Sequence, residues 1–236
     1  MWPPMRSLVS IGIATLVLLT ACRRAAEAKL PAIGEFPAAP VIIISIDTLR
    51  ADHLPVFGYK AVETPNIDAL RNDGILFTSA WSQVPLTLPS HVSLLTGMLP
   101  AESGVRDNIG YKIAARGTSL PELLHANGYA TGAAVSAYVL RGETGLRSLF
   151  DDYDDKIAFQ PGAYLGQAQR PGSQTAAVAE RWIDAHKSKP FFFLLHLFEP
   201  HTPYAPVEPY RSRFANPYDG EIATADAIVE IGRAHV

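Results

Sequence analysis

The sequence predicts an α/β domain with a mainly parallel central sheet. Three observations carry that prediction. Val41-Ile42-Ile43-Ile44-Ser45-Ile46 is a continuous β-branched run and Phe191 to Leu197 is a second apolar run. Runs of this kind fit strands buried on both faces, as parallel strands are. Segments with helical spacing alternate with such runs along the chain. Polar residues then follow apolar runs at three places: Asp47, the turn at Thr87, and the stretch from His196 to His201. In open α/β sheets, sites form at the carboxyl ends of strands.

The first 21 residues stand apart from the fold. Arg6 supplies a positive start, Leu8 to Leu19 is apolar except for Ser10 and Gly12, and Leu19-Thr20-Ala21-Cys22 follows. The run is short for a membrane span and fits a signal peptide. Small residues before a cysteine resemble the bacterial lipobox, whose cysteine is diacylated and becomes the new N-terminus. Cys22 is therefore the expected lipidation site; the alternative is a short membrane anchor with a chance cysteine. Two or three acyl chains hold a protein durably on a membrane. The expected location is the cell envelope on the periplasmic side, with Arg23 after the cysteine favouring the outer membrane. With one cysteine in the chain, no intrachain disulfide can form. Residues 22–40, rich in Ala and Pro and without periodicity, read as a tether.

From residue 41 the elements come in order. Thr64-Pro65-Asn66 opens a helix to about Asn72, with Pro65 suited to its first turn. Asp73-Gly74 ends it, and Ile75 to Trp81 reads as a second strand. Thr87 to Thr96 reads as a turn plus helix closed by Gly97. Ser119 to Asn127 is a helix, and Tyr129 to Tyr138 a small, apolar strand. Gly142 to Gly172 reads as a long surface excursion. Within it, the Asp151-Asp152-Tyr153-Asp154-Asp155 cluster fits a solvated acidic loop better than a calcium loop, whose spacing it lacks. Gln174 to His186 is a helix with Ala177, Val178, Trp182 and Ile183 at helical spacing. A last helical pattern runs through Ile222, Ala225, Ile228 and Val229. The final six residues, Ile231 to Val236, are also what ATC GGA AGA GCA CAC GTC encodes, the start of a common sequencing adaptor. Residues 230–236 are therefore expected to be a non-native tail.

Composition narrows the function. A formal charge of -3 without a Lys/Arg block leaves no electrostatic footprint for nucleic acid. Hydrophobic residues at 48% and charged residues at 18% suit a packed domain rather than a disordered chain.

Three constellations can carry chemistry. Asp47 at the end of a buried strand is costly unless it is paired or binds a metal; a salt bridge to Arg50 or a helix cap competes with metal binding. Thr87-Leu88-Pro89-Ser90-His91 places Thr87 just before a helix that Pro89 opens, where unpaired N–H groups favour an anion. A hydroxyl there can be ionised by a metal and hold a phosphoryl or sulfuryl group covalently, or can simply cap the helix. His196 and His201 flank Glu199-Pro200 and could bind metal, donate to an oxyanion or act as an acid.

Together these segments resemble the sulfatase family of the alkaline-phosphatase superfamily, from about Val41 to Val229. The resemblance rests on Asp47-Thr48-Leu49-Arg50-Ala51-Asp52-His53, Thr64-Pro65-Asn66-Ile67-Asp68-Ala69-Leu70, Pro89-Ser90 with Leu94-Leu95-Thr96-Gly97, Gly104-Val105-Arg106-Asp107-Asn108 and Pro200-His201-Thr202-Pro203-Tyr204. It implies an alkaline-phosphatase-like three-layer sandwich, with Asp47 as a metal ligand and Thr87 as nucleophile and metal ligand. It also implies contacts from Asn108, His201 and, more weakly, Arg106 to the transferred group; His91 and His196 are further substrate-binding candidates. The implied cofactor is a divalent ion, Ca, Mg, Mn or Zn. Many members place Cys-x-Pro-x-Arg at this site and oxidise the cysteine to formylglycine. This chain has Thr87 and His91 there, so no formylglycine is expected, and Thr48 stands where many members have a second Asp. Both departures favour phosphate over sulfate esters. The expected substrate is a small-molecule, glycan or lipid-headgroup ester. The alternatives are a phosphoryl-alcohol transferase and a non-catalytic anion-binding surface lipoprotein. The resemblance puts an Asp-His metal pair beyond Val236, so this chain alone is expected to be incomplete at its C-terminus and inactive.

Overall fold

The computed structural model describes residues 36–114, 117–158 and 168–233. Residues 1–35, with the signal segment and Cys22, and residues 234–236 lie outside them. Contacts divide the chain between Pro37 and Ala38, and all that follows concerns the second unit.

Four strands, β1 (Val41–Ile46), β2 (Ala130–Val135), β3 (Asp152–Asp154) and β4 (Phe191–Leu197), form one sheet in the order β1-β4-β2-β3. Every pairing is parallel. The helices are α1 (Pro65–Asp73), α2 (Thr87–Thr96), α3 (Pro100–Ser103), α4 (Leu120–Ala126), α5 (Gly172–His186), α6 (Tyr210–Arg213) and α7 (Pro217–Arg233).

The alternation of a strand explains the layers. Phe192 and Leu194 of β4 face Leu88, Val92 and Leu95 of α2. Phe191, Phe193, Leu195 and Leu197 face the opposite way, onto Ala176, Ala179 and Ile183 of α5 and Ile228 and Val229 of α7. All seven β4 residues are buried, as an unbroken apolar run between two helical layers must be. This is the three-layer α/β sandwich expected from the sequence. The β1 run is equally apolar but lies at the sheet edge, and its six residues are only half-buried.

Four expectations are corrected. Ile75 to Trp81 forms no strand: it lies beside no partner that could take its backbone hydrogen bonds, and Phe77 and Trp81 are 70% and 84% exposed. The acidic cluster is not a solvated loop. Asp152–Asp154 is strand β3, and each Asp is engaged: Asp151 accepts from Thr131, Asp152 from Trp182 Nε1, Asp154 from Arg170 and Asp155 from Gly142 N. Thr87 is the first residue of α2 with Leu86 as its cap, so Pro89 sits third, where its missing N–H is still harmless. Helix α5 begins at Gly172, two residues early, inside the segment read as a surface excursion.

Candidate active site

The register of the sheet builds the site. Ser45 of β1 and Val135 of β2 both lie opposite His196 of β4, so three strands end at one level. Asp47 follows β1 and is held by its own N–H, which donates to Leu197 O at 3.0 Å. Helix α2 starts across from it. An open cleft of about 540 Å³ between them is lined by Asp47, Thr48, Thr87, His91, Asn108 and His201, among others.

Asp47 and Thr87 are in contact: the Thr87 hydroxyl donates to Asp47 Oδ2 at 3.1 Å, with Oδ1 at 3.4 Å. Burial works to raise the Asp47 pKa. The imidazoles of His196, His91 and His201 outweigh it, His196 foremost, and hold the carboxyl below its ordinary value. Asp47 is therefore a carboxylate at neutral pH.

Asn108 Oδ1 accepts from Leu88 N at 2.8 Å. That satisfies one of the orphan amides at the start of α2 and leaves the Asn108 amide nitrogen as a donor. His201 donates from Nδ1 to Thr202 O at 2.7 Å and stacks on Phe198, centroids 4.3 Å apart. Its Nε2 stays available.

The other three candidates are placed differently. His91 is buried with both nitrogens engaged: Nδ1 donates to Thr87 O at 2.7 Å and Nε2 accepts from Ser45 Oγ at 2.9 Å. Burial, followed by the neighbouring His196, pushes it down to about 4, so the ring is neutral. His196 is fully enclosed, its ring 5.0 Å from that of His91 and its Nε2 3.6 Å from Asp47 Oδ2. That distance exceeds a hydrogen bond, and neither nitrogen has another partner. Arg106 is exposed and outside the lining of the cleft.

Asp47 and Thr87 offer two hard oxygen donors side by side, which fits an oxygen-seeking divalent cation. They fit as part of a coordination shell: among the described residues no group of three or more His, Cys, Asp or Glu could hold a metal.

Residues that the sequence reading passed over complete the surroundings. Tyr218 OH donates to Thr48 O at 2.7 Å and accepts from Arg50 N at 2.9 Å, bracing the turn after Asp47, where Thr48 has φ 52°. Asp219 accepts from His53 and Tyr59, and Glu221 from Ala205 N. The available signal was Asp219 and Glu221, with Asp226 further on, inside an otherwise apolar helical pattern.

A hydroxyl at a helix start, an ionised carboxylate touching it, and amide and imidazole groups around one cleft define the class: an α/β protein with a polar site at the carboxyl ends of its parallel strands. Comparison makes the assignment specific. The sulfatase family model matches residues 40–230, and the chain belongs to the sulfatase family. It is 25% identical over 222 residues to the N-acetylglucosamine-6-O-sulfatase of Bacteroides thetaiotaomicron, covering 89% of this chain and 39% of that one. It is 34% identical over 128 residues to human iduronate 2-sulfatase, covering 53% and 22%. The chain thus spans well under half the length of these relatives. The phosphonate monoester hydrolase of Agrobacterium radiobacter shares the fold, with a TM-score of 0.65 at 20% identity over 83% of this chain and 58% of that one. The fold is alkaline-phosphatase-like.

Proposed function

We propose that the full-length protein hydrolyses sulfate or phosphate esters with unmodified Thr87 as nucleophile. The contact between Thr87 and Asp47, at the head of α2, is the observation that supports this reading. A divalent ion, held in part by Asp47 and Thr87, would supply the positive charge that lets a threonine hydroxyl ionise near neutrality.

The chain's own residues do the rest. Asp47 orients the hydroxyl. The Thr87 oxygen attacks sulfur or phosphorus in line, a bond from Thr87 Oγ1 to that atom forms, and the bond to the ester oxygen breaks. The Asn108 amide nitrogen, fixed by the bond from Leu88 N to its Oδ1, donates to the developing oxyanion. His201 Nε2, when protonated, gives the leaving alcohol its proton. Water then cleaves the Thr87 ester. His91 and His196 support this set from below, His91 through the Thr87 carbonyl and His196 beside Asp47. The names of the relatives favour a sulfated glycan as substrate, whereas a threonine in place of a formylglycine precursor favours phosphate.

Turnover of nitrophenyl sulfate and nitrophenyl phosphate by the full-length protein tests the proposal. Thr87→Ala is expected to lose on the order of 10³-fold or more in kcat while keeping its fold, Thr87→Ser to keep part of it, and chelation to abolish it reversibly. A folded Thr87→Ala variant with wild-type kcat returns Thr87 to a helix-start residue and overturns the proposal.

A further inference from the structure

The segment from Glu199 to Pro206 leaves β4, crosses the mouth of the cleft with His201, and reaches α6. It is pinned at both sides by carboxylates. Glu199 Oε1 accepts from Gly172 N at 2.9 Å, at the first residue of α5. The approach is so close that a Cβ on Gly172 would fall 2.5 Å from Glu199 Oε2, so any larger residue there would have to displace the Glu199 carboxylate. On the other side, Glu221, at the start of the second turn of α7, accepts from Ala205 N at 2.7 Å. The His201 N–H faces the same carboxylate and favours its charged form. Glu221 is 4% exposed, which is unusual for a glutamate that pairs with no cation. Its Oε2 and that of Glu199 are enclosed without a hydrogen-bond partner. Burial, and then the charge of Glu199, push Glu221 up to about 7, against the pull of the Ala205 and His201 amides.

A buried carboxylate in this setting costs stability, since two like charges are enclosed together and two oxygens go unsatisfied. An apolar residue would pack at this point of α7 without that cost. What the carboxylate does that an apolar residue cannot is hold the backbone at Ala205, at the far side of Thr202-Pro203-Tyr204 from His201, and so fix where the His201 ring stands. We propose that Glu221 is a positioning residue for His201, anchoring the 199–206 segment to α7 so that the imidazole is held over Thr87. The inference rests on the hydrolase reading only for the role of His201; the anchoring itself is a matter of structure.

The experiment compares Glu221→Ala and Glu221→Gln with wild type in the metal-loaded full-length protein, by steady-state kinetics well below the unfolding temperature and by imidazole NMR. The His201 signal is assigned with His201→Gln. Alanine removes the acceptor and is expected to shift the His201 ring signals and to lower kcat on the order of 10²-fold, the usual effect of misplacing a reacting group, with KM little changed. Glutamine keeps an acceptor for Ala205 N and is expected to retain wild-type kcat and His201 signals. A Glu221→Ala protein that is merely less stable, with wild-type kcat per folded molecule and unmoved His201 signals, overturns the inference and leaves the hydrolase reading intact. If wild type itself turns over no ester, the hydrolase reading fails. The His201 signals then decide alone: unmoved in Glu221→Ala, they overturn the anchoring as well.

Discussion

At the scale of single residues, two buried ionisable groups, His91 and Glu221, pull stability in opposite directions with pH. His91 has a native pKa near 4 against 6.5 unfolded. Between those values the unfolded chain takes up a proton that the native ring refuses, so stability present above pH 6.5 is lost as pH falls through 4. The full effect is on the order of 3 kcal/mol. Glu221 has a native pKa near 7 against 4.5 unfolded. The native state holds a proton that the unfolded chain has released, so stability present below pH 4.5 is lost as pH rises through 7. Wild type is therefore expected to show a flattened profile from pH 4.5 to 6.5, where the two slopes oppose. Chemical denaturation across pH 4 to 8 checks this: His91→Gln should become steadily less stable as pH rises through that window, and Glu221→Gln steadily more stable. Parallel profiles for the two variants contradict both assignments. Asp47, Thr87 and His201 were legible in the sequence because each is polar beside an apolar run or a turn, Asn108 only through the family resemblance, and the structure brings all four to one cleft. The enclosure of His196 was not legible. It depends on side-chain alternation along β4, which puts position 196 on the α2 face with Phe192 and Leu194, and on His91 reaching across to Ser45.

At the scale of elements, α7 does more than cover the sheet. Besides Ile228 and Val229 on the α5 side, it carries acids that tie down separate loops. Asp219 holds His53 and Tyr59, Glu221 holds Ala205, and Asp226 accepts from the N–H groups of Asn66 and Ile67 at the start of α1. The last of these is an N-cap supplied from 160 positions away in sequence, since Thr64 makes no side-chain cap of its own. Asp226→Ala leaves two buried-end amides unsatisfied and should cost about 1–3 kcal/mol, measured by urea unfolding. Asp226→Asn keeps an acceptor and should cost less. Equal stability of the alanine variant and wild type would show that α1 needs no cap. Strands β1, β2 and β4 and helices α1, α2, α4, α5 and α7 were readable from apolar runs, helix-start residues and 3.6-residue spacing, because for them local pattern and burial agree; the four-residue helices α3 and α6 are too short to show a period. Strand β3 and the irregular path of Ile75 to Trp81 were not, because in both the neighbour decides: Asp152–Asp154 becomes a strand by pairing with Gly132 to Ala134, and Ile75 to Trp81 has the composition of a strand with no partner beside it.

At the scale of the whole molecule, the surface and the N-terminus set how the protein is handled and where it resides. Ile75, Leu76, Phe77 and Trp81 expose large apolar side chains of the kind that promotes association, and Phe77→Thr with Trp81→Ser is expected to reduce light scattering on warming without moving the unfolding midpoint; unchanged scattering would absolve them. Location turns on a different feature. No helix among the described residues is long and apolar enough to cross a membrane, and the sequence feature that bears on attachment is the segment before residue 36. There the sequence has a positive start, an apolar run of signal-peptide length and Leu19-Thr20-Ala21 before the chain's one cysteine. We propose that Cys22 is lipidated and is the mature N-terminus, with residues 23–40 spacing the catalytic unit from the membrane. A single acyl chain binds only marginally, so a diacylated cysteine is what would retain the protein against washing. Cells fed labelled palmitate should incorporate label into wild type and none into Cys22→Ala, and salt or carbonate washes should release only the variant. A short membrane anchor predicts the reverse: both proteins stay in the membrane fraction, neither takes up label, and the N-terminal residues before Cys22 are recovered by mass spectrometry.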